Sequence, residues 1–244
     1  MESRSFKTLI IGASFYGMAL AKSIENSLLI ERGYRIGSEF SATLRVNRFS
    51  GKVSSDFGRS FLRGMKQRRL IDDDGAIYSV PAAYLLADMT MGVNALFATD
   101  ILSIEKNGGR YKVAIFNSEG RSIINAERII DTTAESVKKV KKKLNVILSN
   151  PNGLHTEHDP FTNSNIYGFG ADANETMPQT RARLYDYLER DGTLGAVFVA
   201  DEYDYKMPQI HERADNGFCI IPSLGYQNPI SAADAGGGGF TYGL

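Results

Sequence analysis

Four residues near the start of the chain have the types and the spacing of a phosphate-binding turn. Gly12, Ser14 and Gly17 form a G-x-S-x-x-G sequence directly after an apolar run, and Glu31 follows Gly12 by 19 positions. Glycine permits a sharp turn and a close approach of helix to sheet, and the N–H groups at a helix start attract an anion. The pattern predicts a dinucleotide site, with an ordinary glycine turn in an α/β crossover as the alternative.

The elements that must position this turn can be predicted from the periodicity of the flanking sequence. Residues 8–11 and 27–30 are short apolar runs typical of buried strands, and residues 18–24 have the composition of a short helix. Glu31 directly follows the second strand, where its carboxylate can accept hydrogen bonds from an adenosine ribose. The glycine-containing loop after it is expected to fold over a bound nucleotide.

The middle of the chain changes to a hydrophobic period of two. Short alternating runs are separated by N-G-G at 107–109 and N-S-E-G at 117–120, which are typical of hairpin turns. They predict an antiparallel meander that ends in a buried strand at residues 127–131. Thr132 and Thr133 follow this strand, so we expect their hydroxyls at the carboxyl edge of the sheet.

This order of elements resembles the FAD-binding domain of FAD-dependent oxidoreductases in the broad glutathione reductase-like class. The resemblance covers residues 7–134 and depends on the glycine turn, the acid-ended second strand with its E-R-G-Y-R-I-G loop, the meander and I-I-D-T-T at 129–133. The family places glycine where this chain has Ser14, and T-G where it has Thr133 and Ala134. The resemblance implies FAD as the cofactor.

Carried over by position, the resemblance also implies a set of cofactor-binding residues. The turn and the helix start would face the pyrophosphate, the acid after the second strand the ribose, and its neighbour the adenine. The backbone near two residues in the alternating runs would contact the adenine edge, the two threonines would line the pyrophosphate channel, and a late acid would be directed at the ribityl chain. In that order the residues are Gly12, Ser14, Phe15, Tyr16, Gly17, Glu31, Arg32, Asp100, Ile101, Thr132, Thr133 and Asp234.

The composition limits the classes of partner. Of 244 residues, 28 are basic and 28 are acidic, so the overall charge does not favour nucleic acid or an anionic membrane. No apolar run is long enough to span a bilayer. The single cysteine, Cys219, excludes an intrachain disulfide and favours a reducing compartment, so we predict a cytoplasmic protein. A small-molecule substrate is the expected partner, with a second subunit or a homo-oligomer completing the site.

The second half of the chain offers candidate catalytic groups without a motif. His155 and His158 lie in a polar loop, Tyr203 follows a predicted strand, and His211 is isolated; hydrogen-bonded structural roles are the alternative for each. The two loop histidines have no further ligands at a recognisable spacing, so we predict no metal site. The lysine-rich residues 135–144 predict an amphipathic helix.

Together these features predict an α/β fold with a Rossmann-like FAD-binding domain, made of a parallel sheet plus an antiparallel β-meander, and a small inserted substrate or cap domain. The FAD-binding domain is assigned to residues 1–134 plus 216–244, and the inserted domain to residues 135–215. The expected function is an FAD-dependent oxidoreductase that takes a hydride or an electron pair from a small molecule. A non-catalytic flavin- or nucleotide-binding subunit and an NAD(P)-dependent oxidoreductase are the alternatives.

Overall fold

The fold was obtained as a computed structural model, and the structure describes residues 3–133, 141–151, 153–191, 195–206, 212–214 and 218–239. The first part of the chain alternates strands and helices: β1 (Ser3–Ile11), α1 (Phe15–Ser23), β2 (Ser27–Ile30), α2 (Ser38–Ser41), β3 (Asn47–Arg48), α3 (Asp56–Gln67), β4 (Ala76–Ile77) and α4 (Ser79–Met89). A strand-rich part follows: β5 (Ala95–Leu96), β6 (Asp100–Asn107), β7 (Arg110–Asn117) and β8 (Gly120–Asp131).

The remaining elements begin with β9 (Lys141–Leu148), β10 (Glu157–Asp159), β11 (Ser164–Ala171), α5 (Met177–Asp191), β12 (Ala196–Val199) and β13 (Asp204–Lys206). They end with β14 (Glu212–Ala214), β15 (Phe218–Ile220), a single 3-10 turn (Ser223–Gly225) and α6 (Pro229–Gly237). None of the helices within the described residues is long and apolar enough to cross a membrane.

The first sheet has the order β14-β15-β8-β1-β2-β5, and β6 and β7 extend antiparallel from β8. The pairs from β15 through β5 are parallel, so the carboxyl ends of β1, β2 and β8 meet at one edge. There Ile11 lies opposite both Ile30 and Asp131. The interior of β1 is covered on both faces, which is why Leu9 and Ile10 are fully buried and form a continuous apolar run.

Helices α1, α3, α4 and α6 cover one face of this sheet. Helices α1 and α6 approach so closely that a Cβ on Gly236 would lie 2.3 Å from the carbonyl oxygen of Tyr16. The meander packs on the opposite face, where Leu9 and Ile30 contact the cluster formed by Val113, Ile115 and Ile124. This arrangement fixes the start of α1 directly above the end of β1.

A second sheet has the order β10-β11-β9-β12, with β13 also paired to β9. Helix α5 buries Leu184 and Leu188 against Leu144, Val146 and Phe169 of this sheet. The loop between β12 and β13 donates two backbone N–H groups to the carbonyl oxygen of Ala42, directly after α2. These bonds hold the second sheet beside the edge of the first sheet, where it forms one wall of the functional site described below.

The structure confirms the predicted α/β Rossmann-like fold, including the glycine-turn crossover and the antiparallel meander. The helix predicted over 135–144 is wrong from residue 141 onward, where β9 begins; residues 134–140 lie outside the described part. Leu144, Val146 and Leu148 alternate inward, so pairing of β9 with its neighbours overrides the helix-like spacing of the lysine-rich sequence. The assignment of residues 135–215 to a separate inserted domain stays a prediction. The strands of the second sheet lie within these bounds, and so does β14, which pairs with β15 in the first sheet.

Candidate functional site

A pocket of about 570 Å³ opens where β1, β2 and β8 end, and we call it the sheet-edge pocket. Its volume lies in the range of small-molecule sites. One wall comes from the turn after β1, the loop after β2 and the end of β8, and the other comes mainly from the second sheet. The lining residues are Gly12, Ala13, Ser14, Glu31, Arg32, Gly33, Ser38, Glu39, Thr132, Thr133, Met177, Asp201, Glu202, Tyr203, Tyr205 and Leu224.

The two glycines of the turn occupy positions that exclude a side chain. Gly12 has a φ of 98°, and a Cβ there would lie 2.8 Å from Cγ2 of Thr133 and 2.9 Å from Oγ1 of Thr132. A Cβ on Gly17 would lie 2.3 Å from the carbonyl oxygen of Gly12. The sharp turn and the close packing of helix on strand therefore both require glycine.

Ser14 caps α1 and ties the turn to β8. Its Oγ accepts a hydrogen bond from the backbone N–H of Gly17 at 2.9 Å. The Ser14 and Thr132 hydroxyls are 2.7 Å apart, and Thr132 donates to the carbonyl oxygen of Ile11 at 2.9 Å. Either hydroxyl can be the donor of the pair. Ser14, at the position where the resembled family has glycine, thus has a structural role within the turn.

Glu31 joins the two loops that border the pocket. Its Oε2 accepts from the N–H of Ala13 at 2.7 Å, and its Oε1 accepts from the N–H of Gly33 at 2.6 Å. Each carboxylate oxygen keeps a further lone pair, so the group can still accept from a ribose hydroxyl. Arg32, beside it, forms a solvent-exposed ion pair with Asp100, 3.4 Å between Nε and Oδ1.

The N-terminus of α1 holds a carboxylate of the chain itself. Oε1 of Glu39 accepts from the backbone N–H of Phe15 at 2.8 Å and from the hydroxyl of Ser223 at 2.7 Å. The N–H of Tyr16 in turn donates to Oγ of Ser223 at 3.3 Å. A helix N-terminus stabilises negative charge through its dipole and its unpaired N–H groups. The place where an anion suits this helix is therefore occupied by Glu39.

The backbone before Glu39 explains how its side chain reaches this place. Gly37 adopts a left-handed conformation, with φ of 67°, and donates its N–H to the carbonyl oxygen of Ala13 at 2.8 Å. A Cβ on Gly37 would lie 2.4 Å from the ring of Phe15. The loop therefore packs tightly against the turn, and the first turn of α2 brings Glu39 to the start of α1.

Several carboxylates share the pocket, and burial affects two of them. Burial raises the pKa of Glu39 to about 7, opposed by the hydrogen bonds from Ser223 and Phe15 and reinforced by the charge of Glu202. Burial also raises the pKa of Glu202, against a hydrogen bond with Ser38, and the charge of Glu31 adds to this rise. The pocket therefore disfavours further negative charge near Glu39 and Glu202.

Of the four catalytic candidates, Tyr203 lines the pocket. Its hydroxyl lies 2.7 Å from Oγ1 of Thr180 and donates toward the carbonyl oxygen of Glu175 at 3.3 Å. The ammonium group of Lys142 lies 4.5 Å from the ring centroid, a favourable cation–π distance. Tyr203 is thus held in place by α5 and the residues before it, and by Lys142 of β9.

The other catalytic candidates lie elsewhere. His155 and His158 are exposed and do not line the sheet-edge pocket, and His211 lies outside the described residues. No group of three potential metal ligands occurs in the described part of the chain.

The predicted cofactor-binding residues do not all lie at the sheet-edge pocket. Six of them line the pocket together, namely Gly12, Ser14, Glu31, Arg32, Thr132 and Thr133. Gly17, Phe15 and Tyr16 support it from α1, with both aromatic side chains in the core. Asp100 and Ile101 are not lining residues. Asp234 lies on α6, where its carboxylate accepts hydrogen bonds from Ser54 and Ser55. For all twelve predicted residues, contact with a cofactor stays a prediction.

Sequence reasoning missed Glu39, Ser223 and Glu202. Glu39 carried a signal, because it is an acid two residues after a loop glycine that precedes a short helix. Glu202 also carried a signal, because it precedes Tyr203 in the acidic stretch directly after a predicted strand. Ser223 carried none, because it reaches the site from a distant part of the chain through the tertiary fold.

The residues present fit a dinucleotide at two places. The turn residues Gly12, Ala13 and Ser14 line the pocket, and Glu31 presents a carboxylate at its wall. At the N-terminus of α1 the geometry fits an anionic group, and the carboxylate of Glu39 already demonstrates this fit.

Comparison with known proteins supports the fold. No protein-family model matches the chain, and no curated protein sequence matches it. A glycine oxidase from Geobacillus kaustophilus has 11% sequence identity and a TM-score of 0.60, over 96% of this chain and 93% of that one. An L-proline dehydrogenase from P. horikoshii has 13% identity and a TM-score of 0.58, over 96% and 92%.

A flavoprotein/dehydrogenase from Cytophaga hutchinsonii matches with 14% identity and a TM-score of 0.52, over 96% of this chain and 76% of that one. At such identities the likeness concerns the backbone fold. The chain therefore shares an α/β Rossmann-like fold with these solved structures, in agreement with the fold that the sequence resemblance implies.

Proposed function

We propose that this protein is an FAD-dependent oxidoreductase that acts on a small molecule. The observation that carries the proposal is the sheet-edge pocket, which joins the glycine turn at Gly12 to the carboxylate of Glu31 at the ends of adjacent parallel strands. Ligands of open α/β sheets bind at such an edge. The similar solved structures include an oxidase and two dehydrogenases, one of them named a flavoprotein, which supports redox chemistry.

The chain's own residues would bind the cofactor in a defined order. Glu31 would accept from the ribose hydroxyls, while Arg32 would lie beside the adenine. Gly12 and Thr133 would border the pyrophosphate, because both line the sheet-edge pocket where β1 and β8 end. When bound, FAD supplies an acceptor for a hydride or an electron pair.

The substrate is proposed to contact the wall formed by the second sheet. Tyr203 and Tyr205 present phenol rings there, and Met177 and Leu224 add apolar surface. Tyr203 is anchored by Thr180, so it would orient a substrate rather than move with it. A second subunit or a second copy of the chain is proposed to complete the site, and the cytoplasm is the proposed location.

The test begins with the purified protein. We expect flavin absorbance bands in the protein as isolated or after incubation with FAD, and FAD among the small molecules released by heating and identified by mass spectrometry. Bleaching of the flavin colour by a small-molecule reductant would identify an enzyme. A protein that stays colourless after incubation with FAD would refute the proposal, and a coloured protein that no candidate substrate bleaches would favour the non-catalytic flavin-binding subunit.

A further inference from the structure

The sequence resemblance implies that the pyrophosphate of FAD faces the start of α1, where a side chain of the protein is already bound. In the structure the N–H of Phe15 donates to Oε1 of Glu39 at 2.8 Å, and the Ser223 hydroxyl holds the same oxygen at 2.7 Å. The N–H of Gly17 is engaged by Ser14, and that of Tyr16 is directed at Ser223. The first N–H groups of α1 therefore all have partners within the protein.

Two anionic groups cannot share this place. A phosphate bound to the N–H of Phe15 would lie within a few ångströms of the Glu39 carboxylate, since both would accept from one donor. Like charges at such a distance repel strongly in a partly buried pocket. Binding of the pyrophosphate at α1 thus requires a change in Glu39.

We propose that Glu39 is an internal competitor of the cofactor: the pyrophosphate of FAD binds at the N-terminus of α1 only when the Glu39 side chain is neutral or has moved away. This inference rests on the proposed function. A neutral carboxylic acid differs from the carboxylate because it can donate a hydrogen bond to a phosphate oxygen. The same side chain would then hold the cofactor instead of excluding it.

The surroundings of Glu39 favour its neutral form. The titratable and charged side chains that line the same pocket are Glu31, Arg32, Asp201, Glu202, Tyr203 and Tyr205. Asp201 is neutralised by Arg35, with 3.0 Å between Oδ2 and Nη1, whereas Glu202 acts on Glu39 as a like charge. The pKa of Glu39, raised by burial to about 7, makes the change from neutral to charged occur near neutral pH.

The direction and size of the pH effect follow from this titration. With the Glu39 pKa at about 7, about nine tenths of the side chains are neutral at pH 6 and about one tenth at pH 8. If only protein with a neutral Glu39 binds FAD, the apparent Kd is inversely proportional to the fraction of protein in that form. We therefore expect the affinity for FAD to fall about tenfold from pH 6 to pH 8.

The experiment measures Kd at pH 6 and pH 8 for FAD, by flavin fluorescence, and for ADP-ribose, by calorimetry. ADP-ribose carries the same pyrophosphate diester without the flavin, and this diester does not titrate in that range. Glu39→Gln keeps the shape of the side chain without its charge, and Glu39→Ala removes it if the glutamine variant does not fold. Glu119→Gln, at an exposed residue in the turn between β7 and β8, is the matched control.

In Glu39→Gln we expect both ligands to bind about tenfold more tightly than in the wild type at pH 8, with little dependence on pH. Glu119→Gln should behave as the wild type. If Glu39→Gln and Glu39→Ala have the wild-type affinity and pH profile for FAD, the competitor role is refuted and the FAD function stands. If ADP-ribose shows the effect and FAD does not bind, the competitor role stands and the proposed function fails. If neither ligand binds any variant, both are refuted.

Discussion

Replacement of Asp234 by asparagine tests whether this acid holds two helices together. Ser54 and Ser55 each donate a backbone N–H and a hydroxyl to the Asp234 carboxylate, at 2.7 to 3.0 Å. Ser55 is also the N-cap of α3, where its Oγ accepts from the N–H of Gly58 at 2.9 Å. Asp234 therefore fixes the start of α3 to α6, which itself packs on α1.

The magnitude can be worked from these contacts. Asparagine keeps one acceptor oxygen for Ser55, but it places an N–H₂ group against the donors of Ser54. A hydrogen bond to a charged group contributes about 1.5–3 kcal/mol, and the Ser54 bonds are partly exposed, so we expect a loss of about 2 kcal/mol in the free energy of unfolding. In a protein of this size that corresponds to a fall in Tm of about 4–8 °C.

The loss should depend on pH in a defined direction. Burial acts to raise the pKa of Asp234, but the four donors of Ser54 and Ser55 outweigh it and lower the pKa. A carboxyl group whose pKa is lower in the folded state than in the unfolded state stabilises the folded protein fully above its unfolded pKa of about 4. This stabilisation is lost as the pH falls through the lower pKa of the folded state. The difference between wild type and Asp234→Asn should thus be full at pH 7 and shrink below about pH 4.

Urea denaturation at pH 7 and at pH 3 measures this difference. Asp88→Asn is the matched control, because its ion pair with Arg68 is more than half exposed and is expected to contribute only about 0–1 kcal/mol. An Asp234→Asn protein as stable as the wild type at pH 7 would refute the structural role. Unchanged stability together with loss of FAD would instead favour the ribityl contact that the sequence resemblance implies for Asp234.

Three further substitutions have expected outcomes. Gly58→Ala should lower the stability, because its Cβ would lie 2.1 Å from Oδ1 of Asp234. Alanine in place of glycine normally stabilises a helix by about 0.5–1 kcal/mol, so thermal denaturation distinguishes the two effects by the sign of the change in Tm. Glu31→Gln should weaken FAD binding at least about tenfold by losing a charged acceptor for the ribose, as measured by fluorescence titration. Tyr203→Phe should cost about 1 kcal/mol in urea denaturation, because it leaves the Thr180 hydroxyl without this partner.

The fold could be predicted from the sequence because its signals are local. The turn at Gly12, the apolar run of β2 and the hairpin turns of the meander each depend on residues a few positions apart, and the structure has all of them. The start of β9 could not be predicted in this way. Its lysines suit an exposed helix face as well as a strand, and only pairing with β11, β12 and β13 decides between them.

The site was less predictable than the fold, because its chemistry depends on groups that come from distant parts of the chain. A motif indicates that the N–H groups of α1 suit an anion, and the structure agrees through the contact of Phe15 with Glu39. It does not indicate which anion is bound. That depends on Gly37, which lets the loop after β2 press against the turn, and on Ser223, which holds the carboxylate from the other side.

The same contact has a consequence for the stability of the protein without cofactor. The first N–H groups of a helix have no intrahelical partners. In an empty dinucleotide pocket they would be hydrogen-bonded only by water. Here Ser14, Glu39 and Ser223 satisfy them, so the turn keeps its shape before any ligand arrives. Tight binding of a pyrophosphate must then exceed the affinity of α1 for Glu39, and an increase in FAD affinity on removing that charge would measure the difference directly.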